Sequence, residues 1–183
     1  SLERKVNTTY PNRIQQYQRQ IEQISQDAAL LEQSRDGNFS IVLDGKRYTE
    51  RPEAGEALAL LYRRISEGRK KDDYDFEIGA YRGFRLYLSF DPFSAGLVLR
   101  GSSRYNTDIG SSGQGAITRI ENLAERIPSY LTYAQRDLEE VQKQLEAARQ
   151  QMGQPFIYEE ELSEKAATLT EINTKLEFES LQG

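Results

Sequence analysis

The chain of 183 residues contains no His, no Cys and no Trp, and it has a single Met. Without His or Cys it has no Ser-His or Cys-His nucleophile pair, no zinc-type ligand set, no haem-ligating His or Cys and no disulfide. Any metal site would have to use oxygen ligands, and we predict neither a metal nor a cofactor. The remaining residue types favour a binding or scaffolding protein over an enzyme.

Long apolar runs are missing as well. No stretch approaches the ~18 apolar residues that cross a bilayer, and the N-terminal region lacks the apolar core of a signal peptide. We therefore expect a cytoplasmic protein without membrane association. Because the chain begins with Ser1 rather than Met, we also expect it to be part of a longer protein.

Charge is distributed unevenly along the chain, which has 24 Lys and Arg against 29 Asp and Glu. Residues 78–128 contain six Arg and four acidic residues, whereas residues 129–183 contain five basic and eleven acidic ones. A modestly basic centre is thus followed by an acidic C-terminal region.

Two stretches of the chain have the pattern of coiled-coil helices. Apolar residues recur at steps of three and four over about 12–34 and again over 117–152, as in an a/d seam. We predict that the two stretches pair as an antiparallel coiled coil. We expect a kink or break at Pro128 that gives one short and one long helix, and a last amphipathic helix to follow Gly153 and Pro155.

The middle of the chain has the pattern of a small sheet. Two short β-prone segments flank Asp44-Gly45, which predicts a hairpin with a two-residue turn in which Ile41 faces Tyr48. A helix from 52 to 68, with Pro at its start and Gly at its end, is expected to cover the sheet. Alternation of apolar and polar residues then predicts three or four more antiparallel strands between 74 and 109.

The predicted fold class is therefore α+β: an antiparallel helical coiled-coil arm with an inserted, small antiparallel β-sheet module of five or six strands covered by one helix. The predicted boundaries are 1–38 for the N-terminal arm, 39–114 for the α+β module, and 115–183 for the C-terminal arm and last helix.

Arginine and tyrosine side chains lie on or beside one face of the predicted sheet. Single-strand binders use this combination to neutralise the phosphate backbone and to stack bases. The alternative is an ordinary solvated sheet face, since a pI near 5.0 and a small basic excess make a weak electrostatic footprint. The candidate nucleic-acid-binding residues are Tyr81, Arg82, Arg85, Tyr87, Arg100, Arg104 and Arg119.

A glycine-rich loop, 110–115, precedes the second seam. The backbone N–H groups of Gly113 and Gly115, together with the N-terminus of the next helix, suit an anion. Arg119 in the first turn opposes the helix dipole, and a bound phosphate would offset this. The loop lacks the Lys of a nucleotide P-loop, and a flexible or tight connection is the alternative.

Three separated segments, 39–58, 78–84 and 115–122, carry a resemblance. Together they resemble the C-terminal part of large Swi/Snf-type helicase and adenine-specific DNA methylase proteins of bacterial mobile elements. The resemblance spans roughly Asn12 to Leu176. No catalytic residue carries over, because the chain has no Walker Gly-Lys-Ser/Thr, no helicase acidic motif and no methylase Asn/Asp-Pro-Pro-Tyr/Phe motif.

The resemblance implies a non-catalytic accessory module attached to a DNA-processing machine. Its expected partners are DNA or RNA and the helicase or methylase domains of the parent chain. The alternative is a protein interaction or oligomerisation module that acts through the coiled coil, with a homodimer as one form.

Overall fold

The computed structural model describes the chain from Ser1 to Gln182, except for the side chains of 154–163, 178 and 180–182. Within this part, no helix is both long and apolar enough to cross a membrane. The helices are α1 (Leu2–Arg4), a π-helical segment (Lys5–Thr9), α2 (Tyr10–Glu32), α3 (Arg51–Gly68) and α4 (Gly113–Gln182). The strands are β1 (Ile41–Leu43), β2 (Lys46–Tyr48), β3 (Asp75–Tyr81), β4 (Phe84–Phe90), β5 (Ala95–Arg100) and β6 (Arg104–Asp108). The fold is α+β, as predicted.

All strand pairs are antiparallel, in the order β2-β1-β3-β4-β5-β6. The hairpin β1–β2 has the predicted register, with Ile41 opposite Tyr48. Its turn places Asp44 at φ 50° and Gly45 at φ 80°, the left-handed conformation that two-residue hairpin turns need and that the Asp-Gly pair tolerates.

A β-bulge in β3 changes which residues reach each face of the sheet. The register shifts between Glu77 and Gly79, and it then pairs Ala80 with Arg85 and Tyr81 with Phe84. The Gly at 79 is required here, because a Cβ would overlap the carbonyl of Val42 on β1. The extra residue reverses the alternation, so Tyr81 lies on the same face as the buried Phe84.

Within residues 17–136, helices pack on one face of the sheet, which we call the inner face. Its strand residues Phe84, Leu86, Leu88, Leu97 and Leu99 are fully buried. The predicted side of α3 packs here, but residues of α2 and of the first part of α4 belong to the same core. The helical layer is therefore wider than one covering helix. Its fully buried contributors from α4 include Ile117, Ile120 and Leu123.

One buried carboxylate joins α2 to the turn between β5 and β6. Asp27 is 1% exposed, and its two oxygens accept hydrogen bonds from the backbone N–H groups of Ser102 (2.6 Å) and Ser103 (2.9 Å). The hydroxyl of Tyr105 donates a third bond to it at 2.6 Å. Burial and this carboxylate raise the pKa of Tyr105 above its ordinary value, so the phenol remains a donor.

The contacts divide the chain into two compact units, residues 17–136 and residues 1–16 with 137–183. Neither unit ends at the predicted boundaries 38 and 114. In the second unit, Val6 packs with Leu145 and Ala148. This cluster joins the N-terminal segment to α4 within that unit, whereas a coiled coil along the full length of the seams remains a prediction.

Helix α4 is continuous from Gly113 to Gln182, so the predictions of a break at Pro128 and of a separate last helix after Gly153 are wrong. Ile127 is completely buried, and Leu131 and Ala134 pack on the same core beyond the proline. Burial of apolar side chains before and after Pro128 favours one continuous helix, although Pro128 cannot donate a backbone hydrogen bond.

Candidate nucleic-acid interface

The opposite face of the sheet, which we call the outer face, carries a row of arginines. In the register, Arg47 lies opposite Val42, Val42 opposite Ala80, and Ala80 opposite Arg85. The row continues with Arg100 opposite Arg85 and Arg104 opposite Arg100. Residues directly opposite each other share a face. We call Arg47, Arg85, Arg100 and Arg104 the arginine row.

Three members of the row are on adjacent strands, which places like charges about 5 Å apart at the backbone. Arg85 and Arg100 are exposed, and in the described part of the chain no carboxylate lies within 4.0 Å of either guanidinium. Like charges directly opposite each other destabilise a sheet. An anion bound across them would offset this repulsion.

Arg104 is held at one end of the row by an ion pair. Its guanidinium lies 3.1 Å from the carboxylate of Asp75 on β3 and donates to the hydroxyl of Ser89 on β4 at 3.3 Å. The same hydroxyl donates to Asp75 at 2.7 Å. Hydrogen bonds from Arg104 and then Ser89 lower the pKa of Asp75, so the carboxylate stays ionised at neutral pH.

Acidic residues lie on the same outer face, toward the opposite ends of the strands from the arginine row. Glu77 lies opposite Tyr87, Asp75 opposite Ser89, and Asp108 opposite Gly96. The outer face is therefore basic across one end of the strands and acidic across the other. An anionic chain would follow the arginine row across the strands rather than run along them.

The two tyrosines predicted as stacking surfaces lie on different faces. Tyr87 is half-buried on the outer face, between Glu77 and Val98 and two residues along β4 from Arg85. Tyr81 is only 6% exposed and belongs to the core. The prediction of Tyr81 as a stacking surface is wrong, because the bulge in β3 turns it inward.

Arg82 serves the fold rather than the outer face. It occupies the turn between β3 and β4 at φ 48°, and its guanidinium donates to the carbonyl of Leu31 at 2.7 Å and to the hydroxyl of Ser34 at 2.8 Å. It also pairs with Glu125 of α4 at 3.1 Å. Because the last carbonyls of a helix lack partners within the helix, Arg82 acts as a cap for α2. Its predicted role as a nucleic-acid contact is wrong.

Arg119 and the glycine-rich loop lie apart from the arginine row. The Arg119 guanidinium is 3.9 Å from Asp108, at the acidic end of β6. Gly115 donates its N–H to the hydroxyl of Ser112 at 3.0 Å, which caps α4 from within the chain. A Cβ at Gly113 would overlap the backbone of Gly55 in α3. The close contact with α3 at Gly113 and the Ser112 cap at Gly115 thus account for these two glycines.

Arg47 belongs to the arginine row but is not among the candidate residues predicted from the sequence. Its guanidinium donates to the hydroxyl of Ser40 at 2.7 Å. The hairpin register, which the sequence did predict, contains the signal: it places Arg47 opposite Val42, on the face that Ile41 and Tyr48 do not use.

Comparison with known proteins adds no relative. The chain matches no protein-family model, no curated protein and no solved structure.

Proposed function

We propose that the outer face binds a single strand of DNA or RNA, with phosphates on Arg85, Arg100 and Arg104 and with Tyr87 beside them as a stacking surface. The observation that carries the proposal is three exposed arginines on three adjacent strands, with Arg100 directly opposite both Arg85 and Arg104. Repulsion between Arg85 and Arg100 costs stability in the free protein, whereas a phosphate backbone turns the same arrangement into favourable contacts.

The role that follows is a non-catalytic accessory module that positions nucleic acid for other domains. The resemblance to the C-terminal part of helicase and methylase proteins of mobile elements supports this context as a hypothesis. The basic end of the outer face supplies the contact that such a module needs, and its acidic end restricts where an anionic strand can lie.

The test measures binding of a fluorescent 15-nucleotide oligonucleotide by anisotropy at low salt. Arg85→Ala with Arg100→Ala should weaken binding at least about tenfold. The matched control is Arg63→Ala with Arg126→Ala, which removes the same charge from exposed helix positions and should leave affinity within about twofold. With three phosphate contacts, the logarithm of the association constant should fall with the logarithm of salt concentration with a slope of about −2.

Equal losses of affinity in both double variants would mean that only net charge matters, and no binding at low salt would reject the proposal.

The competing function is a protein interaction module, favoured by the exposed apolar side chains Leu169, Ile172 and Leu176 of α4. Sedimentation of the same samples distinguishes the two functions, because a dimer that does not bind the oligonucleotide supports only the protein interaction module.

A further inference from the structure

The arginine row has a gap that is lined by small apolar residues. Between Arg85 and Arg47 the register passes through Ala80 and Val42, which are half-buried. Three steps between neighbouring strands separate the two arginines, a distance of about 14 Å at the backbone. Two phosphates held at these ends leave at least one nucleotide above the gap.

A cleft of about 450 Å³ opens at this gap. The cleft extends from the outer face at Val42, Ala80 and Arg47 to the helices α3 and α4. Its other lining residues include Phe39, Arg51 and the carboxylates Glu121 and Glu125. Its volume is within the range of small-molecule sites, which begins at about 300 Å³.

The cleft already contains a flat, fixed surface. The Arg51 guanidinium lies over the Phe39 ring, 4.7 Å from its centroid, and donates two hydrogen bonds to the carboxylate of Glu121 at 2.8 and 3.0 Å. These contacts fix the plane of the guanidinium, while the Arg51 side chain remains 59% exposed. Unpaired bases stack on arginine planes of this kind.

We propose that this cleft receives one nucleobase of the bound strand, which stacks on the Arg51 guanidinium while the flanking phosphates lie on Arg85 and Arg47. The subsite rests on the proposed function, since the arginine row must first hold the backbone. The subsite makes affinity depend on a base as well as on phosphate charge. The contribution of the base can be measured separately from that of the phosphates.

The experiment compares a 15-nucleotide oligonucleotide with an abasic strand of the same length, which keeps the phosphates and lacks the bases. Ala80→Phe fills the cleft and should weaken oligonucleotide binding about tenfold while leaving abasic-strand binding within about twofold. The matched control, Ala59→Phe, makes the same substitution at an exposed position of α3 outside the cleft and should change neither.

A second variant covers the case in which Ala80→Phe perturbs the fold. Arg51→Lys keeps the charge opposite Glu121 and loses the planar surface, so it should weaken oligonucleotide binding several-fold without affecting the abasic strand. If both variants bind the oligonucleotide as the unmodified protein does, or lose both strands equally, the subsite is rejected and the phosphate interface stands. If the unmodified protein binds neither strand at low salt, both proposals are rejected.

Discussion

The two faces of the sheet are formed by the same strands and differ in the side chains they carry and in how far these are buried. On the inner face, Phe84, Leu86 and Leu88 are completely buried beneath three helices. On the outer face, alternate positions of the same strands carry Arg85, Tyr87 and Ser89, none of which is fully buried. Burial of apolar surface stabilises the fold, and charges in solvent contribute little to it. Stability and binding should therefore respond to different substitutions.

The largest expected effect is on the inner side, at Asp27. Asp27→Ala leaves two backbone N–H groups and the Tyr105 hydroxyl without their acceptor in a buried site, which should lower the free energy of unfolding by about 3 kcal/mol or more. Urea denaturation measures this. Gln26→Ala is the matched control, because the exposed Gln26 accepts one bond from the hydroxyl of Ser102 at 2.6 Å and should cost less than about 1 kcal/mol. Equal losses would contradict the assigned role of Asp27.

The two faces were not equally predictable from sequence. Period-two alternation placed Phe84, Leu86 and Leu88 inward, and the strand registers confirm that Arg85 and Arg100 share the opposite face. Asp27 was missed because a polar residue beside a helical seam looks the same whether it faces solvent or a turn 75 residues away. Its partners are set by tertiary packing, which local pattern does not contain.

The errors at the site have a similar physical cause. A single inserted residue in β3 moved Tyr81 from the outer to the inner face, and alternation alone does not reveal a bulge. The sequence does contain Gly79, where a bulge or close backbone approach is common. Arg82 was misplaced because its partners, Leu31 and Ser34, lie at the end of a helix distant in sequence.

The next prediction compares Arg82, in the turn between β3 and β4, with Arg85, which lies three residues later on β4. Arg82→Ala removes the cap of α2 and should lower the free energy of unfolding by about 1–3 kcal/mol with little change in oligonucleotide affinity. Arg85→Ala should do the reverse, weakening binding about fivefold with a stability change under about 0.5 kcal/mol. Denaturation and anisotropy on both variants provide the test. If Arg82→Ala weakens binding as much as Arg85→Ala does, the separation of the two faces is wrong.

The smallest expected effect distinguishes the two ends of the outer face. Asp75→Asn releases Arg104 from its ion pair and removes a negative charge near the arginine row, so oligonucleotide affinity should rise about two- to threefold, the scale of an exposed ion pair. Asp108→Asn removes the same charge near Arg119 instead and should change affinity less. An equal rise in affinity in both variants would mean that breaking the ion pair of Arg104 does not strengthen binding.

Acid should act on the unmodified protein in the same direction as Asp75→Asn. Because folding lowers the pKa of Asp75, its ion pair stabilises the fold above the unfolded pKa, and this contribution is lost as pH falls through the folded value. Protonation there also frees Arg104. The Asp75→Asn variant should therefore bind the oligonucleotide more tightly than the unmodified protein at neutral pH, and this difference should shrink as pH falls through the folded pKa of Asp75. A difference that stays constant with pH would mean that the substitution does not act through the ion pair.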